Sequence, residues 1–162
     1  MKQARILAYA ASAALMSAGA AQAGTLWIAN LSGAQEVPAT NVPFTGRGAV
    51  VLNDAETRAT VYATHDVVGA DAGHIHRAPA GSNGPIIFHF HNPASPVGPL
   101  VWDIPAADLA SLKANGLYFN FHTPTNRTGA IRGQISQFSF APAAANASQA
   151  GVAAALNVSV QP

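Results

Sequence analysis

The sequence places two histidines one residue apart, in the segment Gly73-His74-Ile75-His76. Successive side chains of a β-strand point to opposite faces, so His74 and His76 would share one face and Ile75 would lie on the other. Their Cα atoms would then be about 6.5–7 Å apart. That spacing suits two imidazoles that bind one metal ion through bonds of about 2.0–2.1 Å. The segment therefore predicts a metal-binding pair on a strand.

Two later segments, residues 85–91 and 117–122, repeat this alternation of histidines with apolar residues. In the first, we expect an apolar face that starts with Ile86, and His89 and the histidine two residues later on the opposite face. In the second, His122 lies opposite a face of leucine and phenylalanine. Five of the six histidines would therefore lie opposite an apolar face, turned outward from the core.

These histidines favour copper or zinc as the bound metal, because imidazole suits both ions. The chain has no cysteine, which excludes disulfides, thiolate ligands and a cysteine nucleophile. Copper binds more tightly than zinc in the Irving–Williams order, so copper is the first candidate and zinc the second. We predict His74, His76 and His122 as the principal ligands and His89 as the next.

The other two histidines, His65 and His91, fit a metal site less well. His65 is in phase with the core-side Val61 and Ala63, so we expect it to cap a strand end. His91 precedes an Asn-Pro pair and would end its strand. For any single histidine on a strand, simple solvation is the alternative to metal binding.

The elements that would position these residues are short and numerous. Alternating segments separated by turn residues predict an all-β fold, a Greek-key β-sandwich or small barrel of immunoglobulin-like or dismutase-like type, with one short helix. The helix is predicted over residues 105–114, because proline suits its first position and Asn115-Gly116 is a stop signal. The predicted strands cover residues 25–31, 48–52, 58–64, 74–76, 85–91, 100–104, 117–122 and 131–140.

The two ends of the chain predict export and a separate tail. Residues 1–23 carry a charged start, an apolar run and an Ala-Gln-Ala cleavage box, which is typical of a secretory signal peptide. The apolar run is too short for a comfortable membrane anchor. We therefore expect a periplasmic or extracellular protein without a membrane span after cleavage. Residues 24–140 form the predicted domain, and the Ala-rich residues 141–162 form a low-complexity tail.

Charge argues against one class of partner. The chain has eight basic and seven acidic residues, with no basic stripe that would indicate nucleic-acid binding. A metal ion, and a small anion drawn to it, are the expected partners. A protein partner is not specified by any charge block.

Four motifs follow one another along the chain: LSGAQEVP (31–38), GRGAVVL (46–52), HIHRAPAGSNGP (74–85), and FHT (121–123) followed by AIRGQI (130–135). Together they resemble the CHRD family, which is named for its occurrence in chordin and is found in many exported bacterial proteins. The resemblance covers residues 26–138. Glu36 and Arg132 both lie in these motifs, and we expect them to form a structural ion pair. The alternative is that Arg132 lies beside the metal.

A weaker likeness is to the copper half of copper–zinc superoxide dismutases, which are Greek-key β-sandwiches. It implies His74, His76 and His122 as copper ligands and Arg132 as the catalytic residue that guides an anion. The chain lacks the dismutase cysteine pair and a His/Asp zinc set, and its connection after the His-x-His pair is too short for the zinc loop. The likeness therefore implies a copper-only site. His89 lies outside the CHRD motifs and would be an extra ligand of this chain.

Three functions follow from these observations. The first is an exported CHRD-domain protein that binds a metal ion, with copper first, for storage, delivery or protection. The second is a copper-only enzyme like superoxide dismutase, in which Cu(II)/Cu(I) cycles on superoxide and Arg132 steers the anion. That enzyme needs an open coordination position. The third is a non-catalytic extracellular structural or protein-interaction module, as the CHRD repeats of chordin are generally regarded.

Overall fold

The computed structural model of the chain describes residues 25–138. The predicted signal peptide, residues 1–23, and the predicted tail, residues 141–162, lie outside this range. The described elements are β1 (Leu26–Ser32), a 3-10 turn (Gly33–Gln35), β2 (Thr45–Leu52), β3 (Arg58–His65), β4 (Ala72–Arg77), β5 (Ile86–His89), β6 (Val97–Asp103), α1 (Ala106–Lys113), β7 (Leu117–Thr123), β8 (Asn126–Gln134) and β9 (Ser136–Gln137).

All nine strands belong to one antiparallel sheet. Its order is β5-β4-β7-β8-β1-β2-β3-β6, and β9 pairs with β1. The two edge strands, β5 and β6, are brought together by Phe88 and Trp102, whose rings stack with centroids 5.1 Å apart. The sheet is therefore a nearly closed barrel. This confirms the predicted all-β fold with one short helix.

The inside of the barrel is filled by the apolar residues of alternating strand positions. Phe119 and Phe121 from β7 and Ile75 from β4 are 0% exposed. Gly48 and Gly73 make room for these rings, since a Cβ on Gly48 would lie 2.5 Å from Phe119. The alternation predicted for β4 and β7 is confirmed, because their histidines lie on the opposite face.

Two of the predicted strands, 48–52 and 58–64, and the predicted helix are also present. β2 and β3 pair from Gly46–His65 to Leu52–Ala59. The helix α1 begins directly after Pro105 and buries Leu112 against the core. No helix within residues 25–138 is long and apolar enough to cross a membrane.

Several strand boundaries and one face differ from the sequence prediction. β8 begins at Asn126 rather than at residue 131. β5 ends at His89 rather than at residue 91. A register shift pairs Ile75 with Phe88 but His76 with Ile86, which leaves Ile87 as the extra residue of a bulge.

The bulge moves Ile86 to the histidine face of the sheet. Ile86 is 41% exposed, and Ile87 packs partly against the core in its place. The predicted apolar face that starts with Ile86 is therefore wrong at this residue, because one extra residue reverses the alternation of a strand.

We expect Phe119→Ala to lower the free energy of unfolding by about 3–5 kcal/mol, because it leaves a cavity between well-packed rings. Val101→Ala is the control, since Val101 is 62% exposed on the edge strand β6. It should change stability by less than about 0.5 kcal/mol. Urea unfolding measures both variants, and an equal loss in the two would contradict this description of the core.

Candidate metal centre

Three histidines meet because of the register between β4 and β7. Ala72 pairs with His122, and His74 pairs with Asn120, so His122 lies diagonally across from His74 on the same face. The third member, His76, follows two residues after His74 on that face. We call His74, His76 and His122 the histidine triad.

The ring nitrogens of the triad converge. His74 Nδ1 lies 3.1 Å from His122 Nε2, and one nitrogen from each of the three rings lies within 4.8 Å of the others. Two nitrogens bound to one ion at about 2.0–2.1 Å are roughly 3–3.5 Å apart. The triad therefore has nearly the spacing that a shared metal ion requires.

Backbone carbonyls orient two of the three rings. His76 Nδ1–H donates to the carbonyl of Gly84 at 2.9 Å, and His122 Nδ1–H donates to the carbonyl of Arg127 at 3.0 Å. A carbonyl can only accept, so both rings carry their proton on Nδ1 and present the lone pair of Nε2 to the cluster. Metal-binding histidines are commonly held this way.

Two details of the triad show how its ring nitrogens could serve as metal ligands. His76 Nε2 is buried and has no hydrogen-bond partner within the described part of the chain. His74 Nδ1 contacts His122 Nε2, so in the metal-free protein it donates to that lone pair. With the proton of His74 on Nε2 instead, all three rings would present lone pairs to one point.

The triad is neutral at neutral pH. Burial, followed by the neighbouring imidazoles His122, His76 and His89, lowers the pKa of His74 to about 4. Burial is also the main cause that lowers the pKa of His76 and the pKa of His122. Neutral imidazole is the form that binds a metal, so the site does not need to release protons from these rings first.

The fourth predicted ligand, His89, lies beside the triad but outside it. It pairs directly with His74 across β4 and β5, and its ring meets that of His74 edge-on at 4.8 Å. It is exposed, and its nitrogens are not among those that converge. His91 is exposed beyond the end of β5. The metal-ligand roles of the triad and of His89 stay predictions.

His65 is held at the end of β3, as predicted. Its Nε2–H donates to the carbonyl of Pro93 at 2.8 Å, and its Nδ1 accepts from the backbone N–H of Val67 at 3.2 Å. Its ring packs on Phe121 with centroids 4.2 Å apart. Both ring nitrogens are hydrogen-bonded, so His65 has a structural role and lies outside the triad.

A stack of three side chains stands behind the triad. The Tyr118 ring lies parallel to His76 at 4.9 Å, and the Arg132 guanidinium lies 3.5 Å from the centre of the Tyr118 ring. Sequence analysis missed Tyr118, although its place opposite His76 in the β4–β7 register could have indicated it. Gly84 contacts both the stack and the triad. Its N–H donates to the Tyr118 hydroxyl at 3.2 Å, and its carbonyl accepts from His76.

Arg132 is 1% exposed, and both of its terminal nitrogens donate hydrogen bonds. Its Nη2 donates to the carbonyl of Pro79 at 3.1 Å and to Gln134 Oε1 at 3.2 Å. Burial lowers its pKa, and Tyr118 and Glu36 oppose that effect. Tyr118 separates Arg132 from His76, so the guanidinium lies on the far side of the stack from the triad. Its predicted catalytic role stays a prediction.

The predicted ion pair between Glu36 and Arg132 does not form. Glu36 is 6% exposed, and both carboxylate oxygens accept from Asn120 Nδ2 at 3.1 Å. Burial raises its pKa to about 7, while Asn120 and the charge of Arg132 lower it. The Arg132 guanidinium hydrogen-bonds instead to the loop that covers it. Its charge therefore acts on Glu36 only at longer range.

A pocket of about 240 Å³ opens onto the triad. Its walls are formed by Asp71, Ala72, His74, Ile86, His122, Thr123 and Arg127. Ile86 reaches this pocket because of the bulge in β5. The pocket gives a small molecule access to two of the three converging rings.

We expect the buried Glu36 to make stability fall as pH rises. The pKa of Glu36 is about 7 in the folded chain and 4.5 ordinarily, so the folded state holds a proton that the unfolded state releases in between. The stabilisation that the protonated Glu36 carboxyl contributes is complete below pH 4.5. It is lost as pH rises through 7, which lowers the free energy of unfolding by up to about 3 kcal/mol.

Urea unfolding of Glu36→Gln at about pH 5 and pH 8 tests this expectation. The amide is neutral at both values, so the variant should gain on the parent at the higher pH by up to about 3 kcal/mol. Glu56→Gln is the matched control, because Glu56 pairs with Lys113 on the surface. A parent-to-variant difference that is the same at both pH values would contradict the expectation.

The CHRD domain model matches residues 27–135, which is most of the described chain. No curated protein and no solved structure matches the sequence. The matched segment contains the histidine triad, the stack behind it and the buried Glu36. The chain therefore belongs to the CHRD family.

Proposed function

We propose that this chain is an exported CHRD protein that binds one metal ion, copper in the first place, through His74, His76 and His122. The observation that carries the proposal is the convergence of three ring nitrogens within 4.8 Å, on rings that two backbone carbonyls orient. A purely structural role explains neither the buried, unpartnered nitrogen of His76 nor the close approach of His74 and His122.

The donor set favours copper over other ions. Three imidazoles and no thiolate suit copper and zinc, and copper forms the more stable complexes. When bound, copper would supply either a stored ion for delivery or a Cu(II)/Cu(I) couple. The chain's own residues do the rest: the carbonyls of Gly84 and Arg127 hold two rings in place, and Tyr118 covers one face of His76.

Export belongs to the same proposal. It is supported by the signal-like pattern of residues 1–23 and by membership of a family found in extracellular settings. A periplasmic or extracellular protein meets metal ions outside the cell's own buffering, where a site made of neutral imidazoles needs no reducing environment to keep its ligands intact.

The copper-only dismutase has one observation in its favour, the pocket that opens onto His74 and His122. Such an enzyme needs an open coordination position that solvent can reach. The predicted steering residue, Arg132, is buried behind Tyr118 and does not line this pocket. Metal binding is therefore the function that the geometry supports best.

Copper titration of the parent and of single histidine variants tests the site. We expect His74→Ala, His76→Ala and His122→Ala each to weaken Cu(II) binding by at least about tenfold, because each removes a ligand. His91→Ala is the matched control, since His91 is exposed outside the triad. Isothermal titration against a competing chelator measures the affinities, and His89→Ala shows whether a fourth imidazole takes part.

The proposal fails if His74→Ala and His122→Ala bind Cu(II) as tightly as the parent. Binding that is equally weak in the parent and in all variants also rejects the site, and it favours the interaction module. In that case a partner captured by the protein should stay bound in the presence of a chelator.

Gly84 is expected to act as a positioning residue for His76. A Cβ at this position would overlap the carbonyl of Arg77, so Gly84→Ala must displace the carbonyl that orients the His76 ring. We expect a loss of metal affinity of about 10–100-fold. Ser82→Ala, in the same loop and exposed, is the control.

The NMR chemical shifts of the His76 ring nitrogens provide a second measurement for Gly84→Ala. They should report a change from the Nδ1–H tautomer that the carbonyl of Gly84 fixes. Unchanged shifts and unchanged affinity in a folded variant would show that the loop does not orient His76.

A further inference from the structure

The pocket that opens onto the histidine triad is lined by a cationic side chain that lies outside the triad. Arg127 lines this pocket together with His74 and His122. Only its backbone carbonyl is engaged, by His122. Its guanidinium makes no hydrogen bond or ion pair with other residues in the range 25–138. Arg132, by contrast, is buried, and both of its terminal nitrogens donate hydrogen bonds.

The same pocket carries one negative charge, on Asp71. Asp71 is exposed, and its backbone N–H donates to the carbonyl of His122 at 3.1 Å. Asp71 lines the same pocket as His74 and His122, so its carboxylate lies at the opening beside two rings of the triad. The pocket is therefore lined by one cationic side chain, Arg127, and one anionic side chain, Asp71. The first would attract an anion in the pocket and the second would repel it.

The shape of the pocket limits what can enter. Its volume is about 240 Å³, which suits a small ligand rather than a large one. Ile86 forms an apolar part of the wall, which lowers the local polarity and strengthens the effect of nearby charges. Three imidazoles would also leave at least one coordination position of a bound copper ion for another ligand.

We propose that the pocket binds a small inorganic anion between the open side of the metal centre and the Arg127 guanidinium, with Asp71 limiting its affinity. This inference rests on the proposed function, because the metal ion supplies part of the attraction. The ligand would be an anion of a few atoms with a single negative charge. The anion-attracting role then belongs to Arg127 rather than to Arg132.

The test uses the full chain loaded with one equivalent of Cu(II) and azide as the probe anion. The azide-to-copper charge-transfer absorption gives the dissociation constant. We expect Arg127→Gln to weaken azide binding by about three- to tenfold, and Asp71→Asn to tighten it by a similar factor. Arg127→Lys should restore most of the parent's affinity, because it keeps the charge.

Arg47→Gln is the matched control, since Arg47 is exposed and lines other pockets. It should leave azide binding unchanged. Opposite shifts in the Arg127 and Asp71 variants support the inference, because damage to the fold would weaken binding in both. Azide affinities within twofold of the parent in both variants, with copper still bound, overturn it.

The two proposals fail in different ways. If the parent does not bind Cu(II) in the preceding titration, the proposed function falls and the anion site falls with it. If copper binds but no azide band appears at saturating azide, the metal centre stands and only the anion site is rejected. Circular dichroism of each variant confirms that a changed affinity belongs to a folded protein.

Discussion

The structure depends on how one permanently charged group is buried. The Arg132 guanidinium is 1% exposed, and water cannot solvate it, so the protein must supply partners for it. Tyr118 provides an aromatic face, and the loop after β4 provides the carbonyl of Pro79. That loop must therefore lie across the sheet. Once it does, Gly84 follows in the position where its carbonyl accepts from His76. Burial of a charge and orientation of a ring are two results of one loop conformation.

Much of the centre could be predicted because strand alternation and antiparallel pairing are strong constraints. An apolar residue between two histidines fixes which face His74 and His76 take, and the same rule places His122. The rule failed at Ile86, because a bulge is chosen by packing against neighbouring strands and leaves no clear mark in a short apolar run. It could not anticipate that Arg132 bonds to a loop instead of to Glu36, since loop paths depend on tertiary contacts.

The orienting groups of the triad illustrate a different limit. The carbonyls of Gly84 and Arg127 hold His76 and His122, yet every residue has a carbonyl, so neither contact has a signature in the sequence. Tyr118 is intermediate: its face was predictable from alternation, but its contact with Arg132 required the β7–β8 register. Side-chain identities thus indicated the candidate ligands, whereas the backbone contacts that orient their rings are visible only in the fold.

The closure of the barrel has a consequence for the fourth histidine. The seam between β5 and β6 is held by the Phe88–Trp102 stack, and three of the four β5 residues pair with β4. Local unfolding at this seam would detach β5 and carry His89 away, while β4 keeps its six residue pairs with β7. His74, His76 and His122 therefore lie on strands that are paired on both sides, whereas His89 lies on an edge strand that is paired on one side. A contribution of His89 to ion binding would depend on the local stability of that edge strand more than on the rest of the sheet.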